Sequence, residues 1–217
     1  MGEVAPAGKG SVRDTRPIVV KLGGSVVRSS ELSAWLDAIA ASPLPVVVVP
    51  GGGALADEVR SSQAALGFGD AAAHRMALLA MDQLAWAVAS LRSGFEVGDT
   101  EEALRASLAR GQVAVWAPYA LVANRSEISA NWTVTSDSLS LWLARALGAS
   151  KIYVVKSIAR TRGALSAAQL SRDGVVDEAF PEMLKDCGCE AVLLGRGDQA
   201  AFASCLSGEG SCGSRIE

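Results

Sequence analysis

Short unbroken apolar runs recur along the chain, and between them lie stretches whose apolar residues return every three or four positions. The first pattern suits strands covered on both faces of a parallel sheet, and the second suits amphipathic helices packed over it. Ile18–Leu22, opened by Pro17, is the first predicted strand. A helix over 31–41 follows, with Leu32, Trp35, Leu36 and Ile39 at helical spacing and Pro43 and Pro45 as its stop. Val46–Val49 is continuously β-branched and reads as a second buried strand, leading through glycines into a helix over 55–65. A long helix is expected over 70–91, its apolar face made of Met76, Leu79, Ala80, Leu84, Ala87, Val88 and Leu91.

Asp99 and Glu102 have the spacing of a capping box for a helix ending near Gly111. Val113–Ala117 reads as the third strand, closed by Pro118. A helix over 139–147 ends at Gly148, placed as a left-handed C-terminal residue. Lys151–Val155 is the fourth strand, Pro181 opens a short helix, and Ala191–Leu194 is the fifth strand. A helix over 199–206 and an edge strand over 213–216 finish the chain. Strands and helices alternate throughout, so the fold class is α/β with a mainly parallel sheet and right-handed crossovers. Residues 1–15 lack periodicity and read as a disordered tail, leaving 16–217 as a single domain without internal repeat or linker.

Composition narrows the function. Half of the 217 residues are hydrophobic, enough for a sizeable core, and the net charge is -3 with no basic run. Nucleic acid and membrane surfaces need a concentrated positive footprint, so neither is expected as a partner, and small-molecule chemistry fits better. No stretch approaches the roughly 20 apolar residues of a membrane span, and Met1–Thr15 lacks the apolar core of a secretory signal, so the expected location is cytoplasmic. In that setting Cys187, Cys189, Cys205 and Cys212 read as reduced structural thiols.

Three segments carry candidate chemistry. Lys21-Leu-Gly23-Gly24-Ser25 ends the first strand in a cation and a glycine turn, whose backbone N–H groups make a concave anion seat. Pro50-Gly51-Gly52-Gly53 repeats the device after the second strand, at a helix N-terminus. Ligands in an open α/β sheet sit beyond the carboxyl ends of the strands, so both loops are expected to face one crevice. Thr133, Thr135, Ser136 and Asp137 cluster small polar groups before a helix; an N-cap at Ser136 or Asp137 and a ligand site are both open readings of this segment, although capping does not need four such residues. Lys156 repeats the position of Lys21 at a strand end, with Arg160 and Arg162 in the following loop. His74 is near enough to the second glycine loop to line an acceptor pocket, though an ordinary surface or capped histidine is the favoured reading from sequence.

Taken in order, Lys21–Ser25, Pro50–Gly53, Thr135–Asp137 before a helix, Ile152–Val155 running to Lys156, and the ending Gly208–Ile216 resemble the amino acid kinase family. The resemblance implies a three-layer αβα sandwich and transfer of the γ-phosphoryl group of ATP, with Mg²⁺, to a small phosphate or carboxylate acceptor. It implies catalytic roles for Lys21, Asp137 and Lys156, with Asp137 orienting the lysines. Lys21, Gly23, Gly24, Ser25, Lys156, Arg162 and Gly163 would hold the nucleotide. Gly51, Gly52, Gly53, His74, Thr133 and Thr135 would hold the acceptor. It implies no dedicated protein metal site and a homo-oligomer.

Within the family, the segment over 68–83 and the short chain are similar to the small kinases that convert an aminomethylfuran-methyl phosphate to its diphosphate in methanofuran or methylofuran biosynthesis. The loop after Lys156 is shorter than the segment in which acetylglutamate and uridylate kinases grip the nucleotide. Nucleoside monophosphates and acyl glutamates stay open as acceptors. So do two readings without a metabolite product: oxyanion deposition of the molybdenum-storage type, and nucleotide sensing.

Overall fold

The computed structural model describes residues 16–217; the expected tail over 1–15 lies outside them. Seven strands form one sheet in the order β3-β4-β2-β1-β5-β6-β7. They are β1 (Ile18–Leu22), β2 (Val46–Pro50), β3 (Phe95–Gly98), β4 (Val113–Trp116), β5 (Lys151–Val155), β6 (Glu190–Leu194) and β7 (Ser214–Ile216). The first six run parallel, and β7 alone is antiparallel, along β6. β1 is central, with Lys21 level with Val49 of β2 and Val154 of β5.

Strand alternation distributes the core between two layers. Val19, Val47, Val49, Ile152, Val154 and Leu193 face one side, against Leu139, Leu141 and Leu143 of α7 (Ser136–Leu147) and Phe180 of α9 (Phe180–Cys187). Ile18, Val20, Val46, Val48, Tyr153 and Val192 face the other, against Trp35 and Leu36 of α2 (Leu32–Ala40) and Phe202 of α10 (Gln199–Leu206). The architecture is the three-layer α/β sandwich. Lys21 shares the parity of Val19, so its side chain is delivered to the α7 layer.

The remaining helices are α1 (Gly24–Val27), α3 (Gly53–Leu66), α4 (Asp70–Ser90), α5 (Glu101–Ala109), α6 (Tyr119–Val122) and α8 (Ala167–Arg172). The structure differs from the sequence expectations in several places. β3 was not anticipated: it is a four-residue edge strand with only Phe95 and Val97 to mark its period, too short for a pattern. The short helices α1, α6 and α8 also escape periodicity.

The cap of α5 is Thr100, whose hydroxyl accepts from Ala103 N at 3.1 Å, one residue later than the Asp99 reading. On α4 the buried residues are Ala73, His74, Leu78, Ala80, Met81, Ala85, Val88 and Ala89, while Met76, Leu79 and Leu91 from the expected inward face are exposed together with Trp86. This helix is apolar nearly all round, so packing chose the side rich in small alanines. Finally, Cys187 and Cys189 are joined by a disulfide across the Gly188 turn; Cys205 and Cys212 are free thiols as expected. Gly188 in the left-handed conformation brings the two Cα atoms to 5.3 Å, within bridging range. Among the described residues no helix is long and apolar enough to cross a membrane.

Candidate active site

The two glycine loops are in contact. A Cβ on Gly24 would stand 2.4 Å from the Gly53 Cα, and Gly53 itself adopts φ +52°, so both positions require glycine. The chain leaving β1 and the chain leaving β2 therefore pack backbone against backbone, with the N-terminus of α3 opening beside them. The first amides of that helix have no intrahelical acceptor and carry its positive dipole end. A cleft of about 330 Å³ opens over these loops at the carboxyl ends of β1, β2 and β5, with one wall made by α3 and α4.

Its floor is an ion cluster. Lys21 is 2% exposed, and its Nζ lies 2.5 Å from Asp137 Oδ1 as an ion pair that lacks hydrogen-bond geometry. Lys156 Nζ donates to Asp137 Oδ2 at 2.7 Å. Burial pushes the Lys21 ammonium down to about 8, against the pull of Asp137 and with a further push from Lys156. Burial also works against the Asp137 carboxylate, but Lys21 and then Lys156 outweigh it and hold the group below the usual carboxylate range. Two ammonium groups around one carboxylate leave the floor positively charged.

Asp137 is positioned by α7, and α7 is capped from a distance. Its N-cap residue is Thr135, which makes no side-chain cap of its own, so neither Ser136 nor Asp137 serves as the cap that sequence allowed. Asp177, in the loop before α9, does that work instead. Its Oδ2 accepts from the Thr135 amide at 2.8 Å, the Thr135 hydroxyl at 2.8 Å and the Ser138 amide at 3.0 Å, and its Oδ1 accepts from the Ser138 hydroxyl. Burial first, and then Asp137, pushes the Asp177 carboxyl up. Asp177 was invisible to sequence reasoning, because its only local signal was a carboxylate in a loop.

The cleft gathers Lys21, Gly24, Ser25, Gly51, Gly52, Gly53, His74, Thr135, Asp137 and Lys156 from the residues singled out by sequence. His74 is 7% exposed, and burial followed by the Arg75 charge lowers its pKa, so a neutral imidazole faces the ligand space. Four other residues are not brought to the lining. Gly23 ties β1 to β5 through its amide and Val155 O at 2.9 Å. The Thr133 hydroxyl donates to Asn131 Oδ1 at 2.6 Å. Arg162 lines a separate pocket beside Arg160 and Asp198, and Gly163 is an exposed turn residue with φ +86°.

The structure adds Asp57, Arg60 and Trp132, which sequence did not mark. The Arg60 guanidinium lies 4.3 Å over the Trp132 ring. Trp132 Nε1 donates to Gln63 Oε1 at 2.6 Å, so the indole is fixed from two sides. Ala77, Leu78 and Met81 of α4 continue the apolar wall. The site thus has an anion-binding floor and an aromatic and apolar side chamber.

Three comparisons bear on this geometry. The family model described as the amino acid kinase family matches residues 16–160. A curated relative from Methanocaldococcus jannaschii, a [5-(aminomethyl)furan-3-yl]methyl phosphate kinase, is 24% identical over 187 residues, covering 81% of this chain and 86% of that protein. Among solved structures, a uridylate kinase from Archaeoglobus fulgidus superposes with a TM-score of 0.70 at 18% identity, over 92% of this chain and 99% of the other. A UMP kinase from Ureaplasma parvum superposes with 0.64 at 12% identity, over 94% and 99%. The matched segment runs from β1 past Lys156 and so contains both glycine loops and the whole ion cluster: the chain belongs to the amino acid kinase family.

Proposed function

We propose that this protein is an ATP-dependent kinase that transfers the γ-phosphoryl group to the phosphate of a small acceptor, and that the acceptor is [5-(aminomethyl)furan-3-yl]methyl phosphate, giving its diphosphate. The observation that carries the reading is the buried Lys21–Asp137–Lys156 cluster beneath two touching glycine loops. Phosphoryl transfer between two anions asks little covalent chemistry of a protein; it asks for in-line placement and charge neutralisation. The amides of the first loop, with Ser25, suit the phosphates of ATP, and those around Gly51–Gly53 suit the acceptor. Lys21 and Lys156 are held where charge spreads over the transferring group. An acceptor oxygen forms the new bond to the γ-phosphorus, and the bond to the β–γ bridging oxygen breaks with its electron pair leaving on ADP. That oxygen is already an anion, so no general base is needed. Among the described residues no three His, Cys, Asp or Glu side chains gather into a metal site, so Mg²⁺ would enter bound to the ATP phosphates.

The side chamber supports the furan acceptor: Trp132 and the apolar residues of α4 offer an aromatic and apolar surface to a small ring. The relative from M. jannaschii, whose name carries that substrate, points the same way. We extend the proposal to assembly, with the exposed apolar stripe on α4 pairing copies of the chain. The experiment is a mass-spectrometric screen with ATP and Mg²⁺, scoring furan phosphates, nucleoside monophosphates and N-acyl glutamates side by side. A furan phosphate that gains one phosphoryl group in step with ADP release is the expected result. A nucleoside monophosphate as the preferred acceptor overturns the furan assignment, and ATP binding without any phosphorylated product overturns the kinase.

A further inference from the structure

Asp57 is a carboxylate in a cleft built for anions. The cations Lys21, Lys156 and Arg60 line that cleft, and its other carboxylate, Asp137, is spent on the two lysines. Asp57 is not spent in this way: among the described residues no ion pair or hydrogen bond engages it. It is also too far along α3 to complement the helix dipole, since the first turn of α3 carries no acidic residue. Arg60, one turn further on the same face, does not neutralise it, because its guanidinium is stacked on Trp132. Left alone, such a carboxylate repels both substrates of a phosphoryl transfer. It makes chemical sense when one of them brings a positive charge.

We infer that Asp57 is a specificity-determining residue that reads an ammonium group on the acceptor, so that the preferred substrate is a phosphate monoester carrying a cationic substituent across a small ring. The inference rests on the acceptor class proposed above. The spacing along α3 fits it. Gly53 begins the helix at the phosphoryl end, and Asp57 follows four residues later, about 6 Å along the axis at 1.5 Å per residue. A five-membered ring with one-carbon arms spans that interval, its flat face toward the Trp132 and α4 side. A neutral analogue of the same shape would lie against Asp57 without pairing its charge, the situation in which a polar site disfavours a near-isostere.

The test uses steady-state kinetics with two acceptors, the aminomethyl furan phosphate and its counterpart bearing a hydroxymethyl group in place of the aminomethyl. Wild-type enzyme is expected to prefer the ammonium compound at least ten-fold in kcat/KM, mostly through KM. Asp57→Asn should collapse that ratio to near one, and Asp57→Glu should restore part of it. Asp57 is exposed, so these variants keep the core intact. An Asn variant that retains the wild-type preference overturns the inference. So does one that loses kcat equally on both acceptors while shifting the Mg²⁺ requirement, because Asp57 would then act on the nucleotide side. Wild-type enzyme that phosphorylates both acceptors equally overturns the ammonium reading alone. Wild-type enzyme that phosphorylates neither overturns the acceptor assignment, and the ammonium reading with it.

Discussion

Lys21 and Asp137 share one burial problem and one solution. An ammonium group taken out of water loses its proton more readily, and only the neighbouring carboxylate keeps Lys21 charged near neutral pH. The charged form is the one that neutralises the transferring group; it is present below about pH 8 and is lost as pH rises through that value. The expected pH profile of kcat/KM therefore falls on its alkaline side from about 8, while the limb in kcat lies higher, because bound phosphates favour the protonated lysine. A flat profile to pH 10 would detach Lys21 from the chemistry.

Lys21→Ala should lower kcat by about 10²–10³, the scale seen when one preorganised electrostatic group is removed. Asp137→Asn should do more than slow the enzyme. It leaves two ammonium groups facing each other in the interior, at a cost of roughly 3–5 kcal/mol of stability. Chemical denaturation reads that loss directly, and an unchanged midpoint would reject the buried cluster. Both lysines and the aspartate stood out in sequence as charges at element ends. Their convergence was expected from the family resemblance and not from any local pattern, since nothing local places Asp137 within 2.7 Å of residues far from it in sequence.

At the scale of elements, the informative case is α7. Its apolar face and its end at Gly148 are written in the chain, with Gly148 in the left-handed conformation as expected. Its beginning is not, because the groups that satisfy its first amides belong to Asp177, about forty residues downstream. Asp177→Ala strips four hydrogen bonds from that turn, and a loss of about 2 kcal/mol is expected from the amides left unsatisfied. Because α7 aims Asp137, the same variant should also lower kcat, whereas a purely structural cap would change the denaturation midpoint alone. α5 offers the local contrast. Thr100→Ala should cost about 1 kcal/mol with turnover unaffected, as its hydroxyl serves only the helix start.

For the whole molecule, the two faces of the sheet are covered by helices, yet α4 keeps Met76, Leu79, Trp86 and Leu91 toward solvent, with Trp86 67% exposed. Leu55 and Leu66 of α3 are exposed as well. These exposed apolar side chains are the surface on which the assembly proposed above rests. Sedimentation velocity is expected to show a multimer for the wild type and a shift to the monomer for a Leu79→Glu, Trp86→Glu double variant. A wild type that sediments as a monomer at micromolar concentration would remove the assembly proposal.

Period and punctuation alone determined the layered α/β class, the central strands and the glycine turns, because a strand buried on both faces must be continuously apolar and a turn against another backbone must lack a Cβ. Which face of α4 turns inward, where the edge strand over 95–98 lies and which carboxylate caps α7 were decided only in three dimensions. Each of these depends on a partner distant in the chain or on packing among nearly equivalent apolar sides, and such energies exist only once the sheet has brought the partners together.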